Sequence, residues 1–505
     1  MVQVSYPGVY VQEIPSGVRT ISGVATSVTA FVGYTRKGTL DKAIAITSFA
    51  DFERGHGGLD RASVLSYAVR QFYLNGGSNA LIVRVTATDT ATAAWTLQDA
   101  AATDVLDLAA ANPGAWGNEL RISVDQAGAR DPATEFNLVV STQGAAASTP
   151  TVLETHRNLS MDPASALYVE SVVNTASVNV RATVQAGLLD RPAVCSNLAP
   201  TTPGLDGTPG SATELVGTEA DKKGLHALDD VDLFNLLVVP ETATLEATEA
   251  FETISQGVKM CEARRAFFIV DPPLDKPLAD IAAWADDYRT SSYAAAYFPA
   301  IKVIDPLDGF RPRAVAPSGT LAGVYARTDA TRGVWKAPAG SDATLKGVID
   351  LALPLNDLEN GQINPLGINA LRTFPAQGRV AWGARTLRGS DALADEYKYI
   401  PIRRLALFIE ESLFRGTQWI VFEPNDFALY AQIRLNIGTF MNGLFRQGAF
   451  QGKTPQEAYF VKCDNETTTQ ADRNLGIVNI IVGFAPLKPA EFVVLSIQQI
   501  AGDLQ

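Results

Sequence analysis

Two hydrophobic periods alternate along this chain, and the changes between them divide it. Leu65, Ala68, Val69, Phe72 and Tyr73 keep the spacing of a helix face turned to a core, and Asn75-Gly76-Gly77 ends that helix. Apolar runs at 27–34 and 79–85 predict a buried strand on either side, so 23–90 reads as a strand–helix–strand unit. From 91 to 210 short alternating runs (120–124, 136–140 and 177–184) in a Thr, Ala, Ser and Val background predict a mostly-β insertion. The Pro/Gly/Thr stretch 200–210 closes it. Between 211 and 360 strand runs return at 233–239, 266–270, 294–298 and 301–304. Ile281, Trp284, Ala285 and Tyr288 mark a helix among them. Beyond 361 two helix faces stand out. One carries Leu405, Phe408, Ile409, Ser412 and Leu413. The other carries Leu429, Ile433, Ile437, Met441 and Leu444, with Asn425 or Asp426 as its cap. A last strand is expected over 476–484.

Both ends carry strand-like pieces too short to build a core. In 1–22, Val9 and Val11 alternate with Tyr10 and Gln12, Ile14 follows, and Pro7-Gly8 and Pro15 interrupt the pattern. In 489–505 the run 492–497 is apolar on both faces. An apolar chain end has to be covered, and a lone strand needs a sheet edge supplied by something else. Val9, Tyr10, Val11, Ile14, Phe492, Val494, Leu495 and Ile497 are therefore the candidate contact residues. The competing reading is an edge strand within the same subunit.

Composition narrows the classes. The 505 residues predict about three domains, at roughly 100–200 residues each. With 47% hydrophobic and 19% charged residues, a large ordered core is expected. The net charge of −13 and the lack of a Lys/Arg block argue against direct nucleic-acid binding. The opening residues lack the basic and apolar regions of a secretion signal. No run is long enough for a membrane helix, so cytoplasmic synthesis and assembly are expected.

Candidate chemistry is sparse. Gly448 and Gly452 resemble a phosphate loop but enclose three residues instead of four and follow a helix, so a turn is expected. Gly55-His56-Gly57-Gly58 reads as a flexible turn. Asp305-Pro306-Leu307-Asp308-Gly309 lacks the ligand pattern of a calcium loop. His56, His156 and His226 show no metal spacing, and His226 near Asp229 and Asp230 reads as a surface feature. Asn465-Glu466-Thr467 has no meaning as a glycosylation site without secretion. Cys195, Cys261 and Cys463, odd in number and without a CxxC pair, read as reduced thiols. No catalytic residue, metal or cofactor is expected. An α/β hydrolase with a β accessory domain remains the alternative, its triad drawn from distant positions, although no GxSxG elbow is present.

The motifs resemble those of contractile tail sheath proteins. They are Tyr6-Pro7-Gly8-Val9-Tyr10-Val11-Gln12-Glu13, Phe31-Val32-Gly33, Phe72-Tyr73-Leu74-Asn75-Gly76-Gly77 and Asn364-Pro365-Leu366-Gly367-Ile368-Asn369. Val380-Ala381-Trp382-Gly383-Ala384-Arg385-Thr386-Leu387, Tyr399-Ile400-Pro401-Ile402-Arg403-Arg404, Phe422-Glu423-Pro424-Asn425 and Lys488-Pro489-Ala490-Glu491-Phe492-Val493-Val494 follow in order. Residues 91–210 carry none of them. The resemblance implies an α/β multi-domain protein with several parts. These are a linker arm (1–22), a subtilisin-like-shaped α/β middle domain (23–90 and 211–360), a mostly-β outer insertion (91–210), an α+β inner domain (361–488) and a second arm (489–505). It implies a non-enzymatic subunit in stacked six-membered rings around an inner tube, whose arms complete sheets in neighbouring copies. It further implies inner tube, baseplate and terminal cap partners, and contraction that drives the tube through a target envelope. A capsid or baseplate protein is a further alternative.

Overall fold

The structure, a computed structural model, describes residues 19–144, 149–289 and 291–496. These fall into two compact units. One comprises 19–26, 328–337 and 396–496, and the other comprises 27–144, 149–289, 291–327 and 338–395.

The larger unit opens with strand β1 (Thr29–Gly33), strand β2 (Ile44–Ile46), helices α1 (Phe49–His56) and α2 (Val64–Asn75), and strand β3 (Ala80–Arg84). Ser63 caps α2 by accepting from the Ser66 amide, and Gly76 ends it in the left-handed region. The insertion follows as β4 (Ala94–Gln98), β5 (Asp104–Ala110), β6 (Leu120–Asp125), β7 (Glu135–Thr142), β8 (Thr151–Ser160), helix α3 (Val169–Ala176), β9 (Val180–Val184) and β10 (Cys195–Leu198). Its strands pair as β10-β6-β7-β8 and β4-β5-β9. Alternate residues such as Leu120, Ile122 and Val124 point into one core around Trp95 and Phe136. The fully buried Arg84, at the end of β3, donates to the Gly38, Arg36 and Pro113 carbonyls and so anchors the chain where it enters the insertion.

The chain then returns through β11 (Leu236–Val238), helix α4 (Ala247–Arg264), β12 (Phe267–Val270), helix α5 (Leu278–Tyr288), β13 (Ala294–Phe298), β14 (Ile301–Asp305) and β15 (Arg311–Val315). Helix α6 (Ser318–Arg332), β16 (Val348–Leu351), β17 (Ile368–Phe374) and β18 (Gly378–Ala381) complete it. Eight strands form one sheet in the order β18-β17-β13-β12-β11-β1-β3-β2. The inner six are parallel, and β18 and β2 are antiparallel edges. Strands β1, β11, β12 and β13 are buried at every position, as continuous apolar runs in a doubly covered parallel sheet must be. Each large side chain there contributes about 1.5–3 kcal/mol by burial. Strands β17 and β18 come from beyond position 361, so that stretch completes the large sheet instead of joining the helices after 400. The reason is long-range: β17 is satisfied by pairing Ile368 with Ala296 of β13.

The smaller unit is built on helices α7 (Ile400–Gly416) and α8 (Phe427–Arg446) and on strands β19 (Tyr459–Lys462) and β20 (Ile481–Phe484). Leu405 and Ile409 of α7 meet Leu429, Ile433, Ile437, Met441 and Leu444 of α8 in one core. Asp426 is the cap of α8, accepting from the Leu429 amide at 2.8 Å. The final strand is shorter than its sequence suggests. Gly476 turns through the left-handed region, and Asn479 bonds the Thr468 hydroxyl, so only 481–484 is free to pair.

Candidate assembly surface

The smaller unit has an unfinished sheet. Strands β19 and β20 are antiparallel, with Tyr459 opposite Phe484 and Lys462 opposite Ile481, and among the described residues neither has a second strand neighbour. A two-stranded sheet is marginal alone and leaves outer rows of N–H and C=O groups unpaired. Its inner face rests on α8: Tyr459, Val461, Val482 and Phe484 pack against the core, and the Tyr459 hydroxyl donates to the Gly438 carbonyl. On the outside Phe460 and Ile481 are each about half exposed.

Residues 19–26 lie along the same helices. The Arg19 amide donates to Asn436, the Val24 amide to the Ser412 hydroxyl, and Arg404 to the Thr26 carbonyl. Arg404 also clasps Asp329 through both guanidinium nitrogens, at 2.6 and 2.9 Å, and the pair is buried. An apolar groove opens beside this segment, lined by Ile21, Gly23, Phe408, Phe440, Gly443 and Leu444.

At the other end, Glu491 accepts from the Tyr399 hydroxyl at 3.2 Å. Beyond it Phe492, Val493, Val494 and Leu495 form no strand and are 73–87% exposed. Four consecutive large apolar residues in water are an uncovered contact surface. Of the contact residues expected from the sequence, Phe492, Val494 and Leu495 thus stand open. Val9, Tyr10, Val11, Ile14 and Ile497 lie outside the described residues. Neither the unpaired edges of β19 and β20 nor the buried Arg404–Asp329 pair was singled out from the sequence. The strand expected over 476–484 gave β20 but not its open edge, and the Arg404–Asp329 pair joins residues 75 positions apart.

The remaining sequence candidates resolve as follows. Gly448–Thr454 is a turn after α8, in which the Gly448 amide donates to Phe445 and the Lys453 amide to Glu457. Asp305 caps a short turn through the Leu307 amide. His226 meets Asp229 at 2.9 Å, and His156 meets Glu154 at 3.2 Å. His56 is buried at the end of α1, stacked on Phe52, and neither ring nitrogen has a hydrogen-bond partner. Burial first, then Arg84 and Lys37, lowers its pKa to about 4. The three cysteines are free thiols. Among the described residues no group of three or more His, Cys, Asp or Glu is placed to hold a metal, and no helix is long and apolar enough to cross a membrane.

Comparison with known proteins agrees with this architecture. Residues 216–387 match the family model of the phage tail sheath protein central domain. A tail sheath protein of Vibrio phage KVP40 is 28% identical over 189 residues, covering 37% of this chain and 26% of that protein. A putative prophage major tail sheath protein of Pseudomonas aeruginosa is 25% identical over 285 residues, covering 55% of this chain and 69% of that one. The chain thus spans about a quarter of the phage relative's length and about two thirds of the prophage relative's. Among solved structures, the helical sheath of the anti-feeding prophage in its contracted state superposes with a TM-score of 0.61 at 23% identity, covering 98% of this chain and all of that one. Residues 216–387 thus resemble the central domain of phage tail sheath proteins, and the chain shares the fold of a contracted sheath protein.

Proposed function

We propose that this chain is a structural sheath subunit that polymerises with copies of itself around an inner tube, in stacked six-membered rings, and contracts to drive that tube through a target envelope. The observation that carries the reading is the pairing of an unmet need with an unmet supply. Among the described residues the β19/β20 sheet lacks neighbours at both edges, and the segment Phe492–Leu495 is apolar and uncovered. Strand addition between copies satisfies both. An arm making about five main-chain hydrogen bonds, at roughly 0.5–1.5 kcal/mol net each, contributes several kcal/mol. Those bonds hold whatever contacts the rest of the subunit exchanges.

In this reading 1–22 and 489–505 are the exchanged arms, 91–210 faces outward, and baseplate, cap and tube proteins are the other partners. The particle is a phage tail or a phage-tail-like injection device. The work of contraction comes from two arrangements of the same subunits, the extended one kinetically trapped. A non-enzymatic role is supported by the matched proteins, which are named as sheath components.

The test is truncation. A chain lacking 1–14 or 490–505 should remain folded by circular dichroism and run as a soluble subunit, with no tubes in negative-stain micrographs. Full-length tubes from either truncation would overturn the reading, and so would a monodisperse full-length monomer with hydrolase activity.

A further inference from the structure

At the centre of the large sheet the chain reverses its lateral direction. From β1 it goes to β3 on one side, then returns to β11 and moves outward through β12 and β13 on the other. The carboxyl ends of strands at such a reversal are where α/β sheets expose polar groups. Here that edge holds Glu241, just after β11, and Asp271, just after β12, with 3% and 1% of their surface exposed.

Each carboxyl is half used. Glu241 Oε1 accepts from the Tyr34 amide at 2.8 Å, and Asp271 Oδ1 accepts from the Ser318 amide at 2.9 Å. Among the described residues Glu241 Oε2 and Asp271 Oδ2 have no hydrogen-bond partner in good geometry, and the hydroxyl of the fully buried Ser318 lies beside Asp271. Gly33 makes the fit possible, because a Cβ there would lie 2.2 Å from both Glu241 oxygens.

Among the described residues no cation on the surrounding elements is paired with either carboxyl. At the exit of β1 the Tyr34 hydroxyl donates to the Gly207 carbonyl, and Arg36 faces Asp206. On α2, Tyr67 bonds Asp305, beneath Arg313. On α4, Lys259, Glu252 and Glu262 are exposed, Glu249 is half-buried and lies in the first turn, Cys261 is a buried thiol, and Arg264 donates to the Leu228 and Asp229 carbonyls. On α6, Arg327 donates to the Asn75 and Thr344 carbonyls.

A carboxylate out of water and without a cation resists ionisation, and here that holds for each of the two. A protonated carboxyl gains an O–H that can serve an orphan oxygen. We propose that Glu241 and Asp271 are a proton-loaded clasp, Glu241 fastening the exit of β1 and Asp271 the start of α6 at the carboxyl edge of the sheet, and that the fold around them gains stability as the surroundings acidify. The step is proton uptake alone: a proton from the medium forms an O–H bond on a carboxylate oxygen, and the negative charge is lost.

Burial raises Glu241 to about 8 and Asp271 to about 7, against ordinary values near 4.5 and 3.8. The sign follows. Below about pH 4 both folded and unfolded carboxyls hold their protons, and the clasp's contribution is fully present. As pH rises through the folded values the unfolded chain has already released its protons, and that contribution is lost. The clasp lies within one subunit, so the inference stands apart from the sheath reading.

The test is urea unfolding of the full-length chain between pH 5 and pH 8, comparing the parent with Glu241→Gln, Asp271→Asn and the double variant. The amides cannot ionise, so the parent should lose at least about tenfold in its folding constant relative to the double variant across this range, one pKa unit being tenfold. Parallel pH profiles for parent and double variant would overturn the proposal. Infrared spectroscopy of the unmodified chain covers variants that fail to fold. A protonated-carboxyl band at pH 6.5 that fades by pH 9 is expected, and its absence at pH 6.5 would contradict the clasp.

Discussion

Two sheets of this molecule differ in what they leave for others. The eight-stranded sheet is covered on both faces and ends in antiparallel edges, with its central strands wholly buried. The β19/β20 sheet has two strands, one covered face, and apolar residues in water. The first is a finished core, and damage to it should be felt as lost stability. The second, in the proposed reading, is a socket, and damage to it should be felt as lost assembly with the subunit intact.

The largest effect on stability should follow Phe268→Ala in β12, which empties a fully buried site. It should cost about 3–5 kcal/mol, read from urea unfolding. A loss below 1 kcal/mol would mean that the large sheet is not the stabilising core. Next comes His56, whose low pKa makes it a neutral passenger of the fold. The unfolded chain takes up its proton below about pH 6.5 and the folded chain only near 4, so stability is present above 6.5 and falls as pH drops toward 4. His56→Phe should remove about 2 kcal/mol of that loss at pH 5, read as the difference from the parent so that the carboxyl clasp, of opposite sign, cancels. Asp426→Ala, which removes the α8 cap, should cost about 1 kcal/mol and lower the melting temperature of the smaller unit. The smallest stability change belongs to the socket. Phe460→Ser with Ile481→Ser should stay within about 0.5 kcal/mol of the parent yet abolish tubes, because both side chains are half exposed in the single subunit. Normal tubes from that variant would erase the distinction between the two sheets.

The finished region was the more legible in the sequence. Helix α2, the Ile281–Tyr288 stripe and the all-apolar strands announce themselves by period, because burial in one's own chain imposes one. The α8 stripe was equally clear, and all five of its expected residues are buried. What local pattern does not carry is partnership. Nothing in 368–374 says that the strand joins β13, and nothing in Arg404 names Asp329. The burial of Glu241 and Asp271 is invisible for the same reason, since two ordinary acidic residues are taken out of water only by the sheet whose neighbouring strands they follow. The apolar run after Glu491 was readable because it is apolar on both faces, and in the structure its described part does face water.

The most direct measurement is a residue-resolved cryo-EM map of tubes assembled from the full-length chain. The account predicts density for a strand of a different copy hydrogen-bonded along an outer edge of 459–462 or 481–484. Edges left open to solvent, or filled by the subunit's own ends, would contradict it.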